Sequence, residues 1–382
     1  MKTVLIAGYA DSLTRFRKPL IRALLDEGHK VEVMAPSLTA DSPVYIELTA
    51  LGVRCHAIPM DRTGMNPLMD TYTFFVLIFR LLQIRPDYLL AYTVKPIVYG
   101  LIAAFLTRVP ARYALVTGLG YAFQCRAGTG KQKVSHWIVS LFYKIALGVA
   151  HGVFFQNPDN RAFFMEKGIL SAKTPSYVIR GSGVELDRYP FTPLSTKMMR
   201  FLYIGRLIID KGICEFVEAA AIVKGVCPQA ECIVVGSIDS NPRSVTQSEL
   251  DEWIAQGNII YKGEVEDVRP IIAESTVFVL PSYSEGTSRA VLEAMSMGRP
   301  IITTDAAGCR QTVNHGENGF LVPVRDSQSL ASIMLYCIAR PQQLPIMGIR
   351  SRVFAEQHYD VNLVNKIMLQ KMRITTYVKE SR

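Results

Sequence analysis

Short, nearly continuous apolar runs alternate along this chain with longer stretches in which apolar positions return at helical spacing. Val4 to Gly8 predicts a strand, Phe16 to Glu27 a helix ended by Gly28, and Lys30 to Ala35 the next strand. Further strands are predicted at Cys55–Ile58, Tyr88–Ala91, Tyr113–Val116, Val153–Phe155 and Tyr177–Ile179, with helix-length segments between most of them. This is the pattern of a doubly wound parallel sheet. A second sheet begins near residue 200, with strands at Phe201–Ile204, Cys232–Val235, Ile259–Tyr261, Val277–Leu280 and Ile301–Thr304. Asn318-Gly319 then turns the chain into Phe320–Val322. Gly181 to Pro193, with two glycines, two prolines and alternating charge, reads as the linker.

A length of 382 residues is enough for two such α/β domains, each with its own core. With 49% hydrophobic and 20% charged residues the chain is compact and rather apolar. Seven cysteines, scattered without a C-x-x-C pair, point to reduced thiols rather than a disulfide frame or structural zinc. The apolar run at the start is too short for a signal peptide. The net charge of +9 sits in the first half: residues 1–190 hold 22 Lys/Arg against 13 Asp/Glu, and residues 191–382 hold 20 of each. That imbalance suits an acidic membrane surface or a phosphorylated partner, or serves solubility alone. Nucleic acid fits poorly, because no basic run with interleaved aromatics occurs. Thr73–Phe79, cut short by Arg80, and Trp137–Phe155, which contains Lys144 and His151, read as buried helix or helix plus strand. The alternative for each is an amphipathic helix lying in a membrane interface.

The stretch Ser282-Tyr-Ser-Glu285-Gly-Thr-Ser-Arg289-Ala-Val-Leu-Glu293 lies between two apolar runs, so it reads as strand, loop and helix. Thr287 or Ser288 can cap that helix, and Val291, Leu292 and Met295 supply its buried stripe. Eight residues is about two helical turns, which lets Glu285 and Glu293 point roughly the same way. Arg289 and Glu293 are also spaced for an ordinary ion pair on one helix face. Earlier in the same domain, Arg206 and Lys211 flank a loop leading into a helix that carries Ile213, Phe216, Val217, Ala220 and Val223 on one face. Two permanent cations beside a helix N-terminus make a diphosphate site.

Glu285-x7-Glu293, with Gly286, the Glu-Ala-Met run and Gly-Arg-Pro-Ile after it, resembles the signature of family 4 retaining glycosyltransferases. The resemblance implies a GT-B fold: two doubly wound Rossmann-like domains facing a central cleft, at 1–187 and 188–358, with 359–382 crossing back to the first. It implies that Arg206 and Lys211 bind the nucleotide pyrophosphate and stabilise the departing diphosphate, that Glu293 meets the ribose, and that Glu285 works near the donor sugar with Gly286, Thr287, Ser288 and Arg289. Val265, in the loop Gly263–Asp267, is expected at the base. No metal is implied, and no other cofactor.

The loop Gly8–Leu13 is not a G-x-G-x-x-G fingerprint, which speaks against a nicotinamide site. Ser12 lies in it, and Arg15, Arg17 and Lys18 follow at a helix start, where cations oppose the dipole; an acceptor diphosphate would explain them, and a solvated basic turn is the alternative. Lys95, Thr117, Gly118 and Gly120 follow predicted strands. With Phe154–Pro158 and Gly181–Val184, these stretches are similar to the branch that includes polyprenyl-diphosphate-linked N-acetylgalactosaminyltransferases. By that resemblance Ser12, Arg15, Arg17, Lys95, Thr117, Gly118 and Gly120 bind the acceptor. The histidine that many of these enzymes carry in the N-domain loop is missing from Gly118 to Phe123. The implied activity is retaining transfer of an N-acetylhexosamine or hexose from a UDP-sugar to a polyprenyl-diphosphate-linked saccharide. The implied place is the cytoplasmic membrane surface, in bacterial capsule or O-antigen assembly. A sugar-nucleotide epimerase of the same fold is the alternative.

Overall fold

The computed structural model describes residues 1–61, 66–118, 130–239, 241 and 243–374. The chain divides into two compact units, Met1–Ser182 with Asn362–Arg382, and Gly183–Val361. The first holds strands β1 (Lys2–Ile6), β2 (Lys30–Ala35), β3 (Arg54–Ala57), β4 (Tyr88–Tyr92), β5 (Ala111–Val116), β6 (Gly152–Phe155) and β7 (Ser176–Val178). They form one sheet in the order β3-β2-β1-β4-β5-β6-β7, with every neighbouring pair parallel. The second unit holds β8 (Arg200–Ile204), β9 (Glu231–Val235), β10 (Ile260–Tyr261), β11 (Val277–Leu280), β12 (Ile301–Thr304) and β13 (Gly319–Val322). These run parallel in the order β10-β9-β8-β11-β12-β13. Both sheets are of the doubly wound type expected from the apolar runs.

Side chains alternate across a strand, so each sheet buries two layers. In the first unit Val4, Ile6, Leu89 and Ala91 face one core, while Leu5, Ala7, Leu90 and Tyr92 face the other. The first core is covered by the helices Pro67–Ile84, Leu101–Leu106 and Gly130–Gly148. The second is covered by Lys18–Asp26 and by the last helix, Val361–Lys371, which supplies Val364, Met368 and Leu369 at helical spacing.

One element differs from expectation. The helix expected over Phe16–Glu27 is Lys18–Asp26, but a separate short helix, Asp11–Phe16, precedes it across Arg17 and begins inside the expected loop Gly8–Leu13, so Arg15 stands in a last turn and not at a helix start. Pro19 has no N–H to donate and its ring disfavours a continuous helix through the preceding turn, so it begins a new one.

Candidate active site

In each sheet the strand order reverses once, between β1 and β4 in the first unit and between β8 and β11 in the second. Loops leaving the carboxyl ends of two such strands part to opposite faces of the sheet, which opens a crevice at that edge. In the second unit these two loops contain Arg206 and Lys211 after β8, and Glu285 through Arg289 after β11.

The loops are joined backbone to backbone. Tyr283 N and Ser282 Oγ donate to the Asp210 carbonyl at 2.9 and 3.1 Å. Gly212, at φ +71°, opens the helix Ile213–Val226, and a Cβ there would stand 2.1 Å from the Pro281 carbonyl oxygen. Only glycine permits both the left-handed backbone and this approach. On the other side of the loop, Glu285 N donates to the Ala307 carbonyl at 2.9 Å. A Cβ on Gly308 would come 2.2 Å from the Glu285 carbonyl oxygen. The backbone of Glu285 is therefore pinned from two directions.

Of the two possible caps for the helix Arg289–Ser296, Ser288 is the one used, its Oγ accepting from Val291 N at 3.5 Å. Two helix N-termini, at Gly212 and Ser288, thus begin beside adjacent strands, each with the partial positive charge of its first-turn N–H groups. Between them Lys211 and Glu285 form an ion pair, with Glu285 9% exposed. Arg206 is exposed and donates to Asp239 at 2.8 Å. Cations and helix ends of this kind suit a bound anion carrying several phosphate oxygens.

Glu293 lies one turn further along its helix from Arg289, at 3.3 Å from the guanidinium. Burial pushes its carboxyl above the ordinary range, against the pull of Arg289 and of a hydrogen bond from Tyr189. The Tyr189 phenol is pushed up to about 12, first by burial and then by the Glu293 charge. Val265 is half-buried in the loop after β10, which Gly236 N ties to the end of β9 through the Gly263 carbonyl at 2.9 Å.

Three further side chains shape this edge. Tyr283 donates its hydroxyl to the buried Glu215 and carries Arg325 over its ring at 4.8 Å. Burial raises the Tyr283 pKa, and the Glu215 hydrogen bond and charge add to it. Neither this trio nor Tyr189 is singled out by the sequence. Tyr283 does lie inside the motif stretch, and its place two residues before Glu285 is the available signal.

In the first unit Ser12, Arg15 and Arg17 follow β1 and Lys95 follows β4, on the two sides of its reversal point, but in different states. Arg15 is exposed. Arg17 is buried, with its guanidinium over the Tyr92 ring at 5.1 Å and Nη1 donating to Ser182 Oγ at 3.2 Å. Ser12 Oγ donates to the Tyr9 carbonyl at 2.6 Å and lies 2.9 Å from the Tyr92 hydroxyl. Lys95 is paired with Asp70 at 2.7 Å. Thr117 and Gly118 are half-buried after β5, and Gly120 lies outside the described residues.

Residues 199–340 match the family model described as glycosyl transferases group 1. The chain is 27% identical over 366 residues to the N,N'-diacetylbacillosaminyl-diphospho-undecaprenol alpha-1,3-N-acetylgalactosaminyltransferase of Campylobacter jejuni, covering 92% of this chain and 93% of that one. It is 24% identical over 298 residues to the UDP-Gal:alpha-D-GlcNAc-diphosphoundecaprenol alpha-1,3-galactosyltransferase of Escherichia coli, covering 74% of each. The structure of sucrose-phosphate synthase from Thermosynechococcus elongatus superposes with a TM-score of 0.78 over 98% of both chains, at 19% identity. The segment that carries Arg206, Lys211, Glu285 and Glu293 is the one that matches the group 1 glycosyl transferases, and the chain that contains it has the GT-B fold.

Proposed function

We propose that this chain is a retaining glycosyltransferase that moves a hexose or N-acetylhexosamine from a UDP-sugar to a polyprenyl-diphosphate-linked saccharide. The observation that carries the proposal is the Lys211–Glu285 pair, set between two helix N-termini at the strand reversal of the second unit. The two relatives' names, which both specify an undecaprenol-diphosphate acceptor, support the acceptor class, and the galactosyltransferase's name supports uridine diphosphate. The same names set the epimerase alternative aside, because both describe transfer.

Arg206 and Lys211 neutralise charge that builds on the diphosphate as its bond to the anomeric carbon breaks. Glu293, held by Arg289 and Tyr189, accepts from the ribose hydroxyls. Glu285 orients Lys211 and borders the donor sugar, with Gly286, Thr287 and Ser288 beside it, and Val265 borders the base. The acceptor hydroxyl oxygen bonds to the anomeric carbon on the face the diphosphate leaves, and its proton passes to a phosphate oxygen of that diphosphate. Ser12, Arg15, Lys95, Thr117, Gly118 and Gly120 serve the acceptor, with Arg17 holding their loop. Charge neutralisation by side chains and amides makes a divalent metal unnecessary, and the work is done at the inner face of the plasma membrane, in assembly of capsule or O-antigen.

The test is incubation of the protein with radiolabelled nucleoside-diphosphate sugars and a bacterial lipid extract, with and without a chelator, beside Glu285→Gln. Label entering the organic phase with wild type only, chelator or not, is the expected result. Conversion of the donor to another nucleotide sugar with no label in lipid would restore the epimerase.

A further inference from the structure

The first unit carries an apolar surface that its own core leaves unused. On the helix Pro67–Ile84, Thr73, Leu77, Leu81 and Ile84 are buried against the sheet. The opposite side bears Leu68, Tyr72, Phe75, Phe79 and Leu82, spaced four and three residues apart and so aligned in one stripe. Phe75 is 62% exposed and Phe79 59%. The helix Leu101–Leu106 packs against this one and against Gly130–Gly148, and it exposes Phe105 and Leu106. Gly130–Gly148 in turn exposes Trp137, at 65%, with Leu141 and Ile145 at successive turns, while Tyr143, Ala146 and Leu147 are buried. All three helices cover the same core, so the exposed rows lie on one outer layer. Single exposed apolar residues are ordinary, but aligned rows on neighbouring helices mark an interaction surface.

Charge identifies what covers it. From residue 88 to residue 158 the sequence holds seven Lys/Arg and no Asp or Glu. The acid of the first helix, Asp70, is buried and paired with Lys95. Arg85, Arg108 and Lys144 stand exposed at the ends of, or within, these helices. An aromatic and aliphatic face with cations and no exposed acid on its helices matches an anionic lipid surface. The helix Pro67–Ile84 is long and apolar enough to cross a membrane. Because one side of it is committed to the sheet, it lies along a bilayer instead of through one.

We infer that the outer faces of these three helices are the docking surface for an anionic lipid bilayer. Phe75, Phe79 and Trp137 enter the boundary between headgroups and acyl chains, and Arg85, Arg108 and Lys144 meet lipid phosphates. The inference deepens the lipid-linked-acceptor reading and rests on it for its purpose, since a bilayer is where such an acceptor is held.

The test uses vesicles of phosphatidylglycerol with phosphatidylcholine, or phosphatidylcholine alone, with neither donor nor acceptor present. The chain has two tryptophans, so Trp253→Phe leaves Trp137 as the reporter. The expected result is sedimentation with the phosphatidylglycerol vesicles, weakened by salt, with a blue shift of Trp137 emission. A Leu68→Ser, Phe75→Ser, Phe79→Ser triple variant should partition about tenfold more weakly or worse, and Arg108→Ala with Lys144→Ala should lose the salt-sensitive part. Circular dichroism confirms that the variants are folded, and the triple variant should keep transfer to a short-chain, water-soluble acceptor. Binding by wild type that the triple variant loses supports the inference even where no transfer is found. Unchanged binding by the triple variant overturns it. So does wild-type self-association, abolished in the variant and accompanied by no vesicle binding, which would assign the face to a second copy of the chain.

Discussion

Lys211 and Glu285, 74 positions apart in sequence, meet as an ion pair between loops that leave adjacent strands. The backbone of Glu285 is fixed by Ala307 and Gly308, so the pair is held by the loops as much as by its own attraction. Glu285→Gln keeps the shape and removes the charge. Transfer should fall by about 10²–10³-fold, while the thermal midpoint stays within a few degrees, because Lys211 still reaches water at 21% exposure. Label transfer and a thermal melt on the same preparation check both halves. Wild-type turnover by the variant would remove Glu285 from the mechanism.

Gly212 packs its backbone against the other loop at Pro281. Gly212→Ala adds a Cβ 2.1 Å from the Pro281 carbonyl oxygen, at a φ that side chains disfavour. The expected loss is about 2 kcal/mol or more, from left-handed strain and the displaced loop together. Urea unfolding of variant and wild type measures it, and equal midpoints would mean that the loops separate at little cost.

Glu293 makes stability depend on pH. Burial raises its carboxyl above the ordinary 4.5 in the folded chain, so the folded state holds this proton more tightly than the unfolded one. The associated stability is complete below the unfolded value and is lost as pH rises through the folded value. In Glu293→Gln that loss is absent. Whatever deficit the variant shows at low pH should therefore shrink as pH rises past the folded value, read from urea midpoints at pH 4 and pH 7.5. A deficit that grows over this range would show the carboxylate to be stabilised by Arg289 and Tyr189 more than burial penalises it.

Arg17 separates a holding role from a binding one. Arg17→Ala removes the bond to Ser182 and the stacking on Tyr92, and should lower stability by about 1–3 kcal/mol. Arg15→Ala should leave stability unchanged and raise the acceptor KM. If Arg17→Ala were as stable as wild type with a raised acceptor KM, its buried position would not describe the working state.

Most strands were legible because both sheets are parallel, so an inner strand, covered on two faces, is a short apolar run. The run Val277–Leu280, for example, is buried at every position. Glu285 and Glu293 were legible because a loop and a helix fix their separation locally. The state of Arg17 was not, since a cation near a helix start looks the same whether it meets a ligand or the face of Tyr92. Nor was the contact of Tyr189 with Glu293, which joins a residue from the stretch before β8 to one in a helix after β11. Arg299 shows the same limit. Read as part of a motif, it is wholly buried and donates to the Thr192 and Ser275 carbonyls at 2.8 and 3.1 Å.

The helix ending at Lys371 fills the second core of the first unit with Val364, Met368 and Leu369, although the whole second unit precedes it in the chain. Synthesis from the N-terminus therefore completes the second unit, through Val361, before the first unit has its last layer. Until that helix leaves the ribosome, Leu20, Ile21 and Leu90 share a core without its final cover, and the nascent first unit is the part of the molecule most exposed to chaperones and to misassembly.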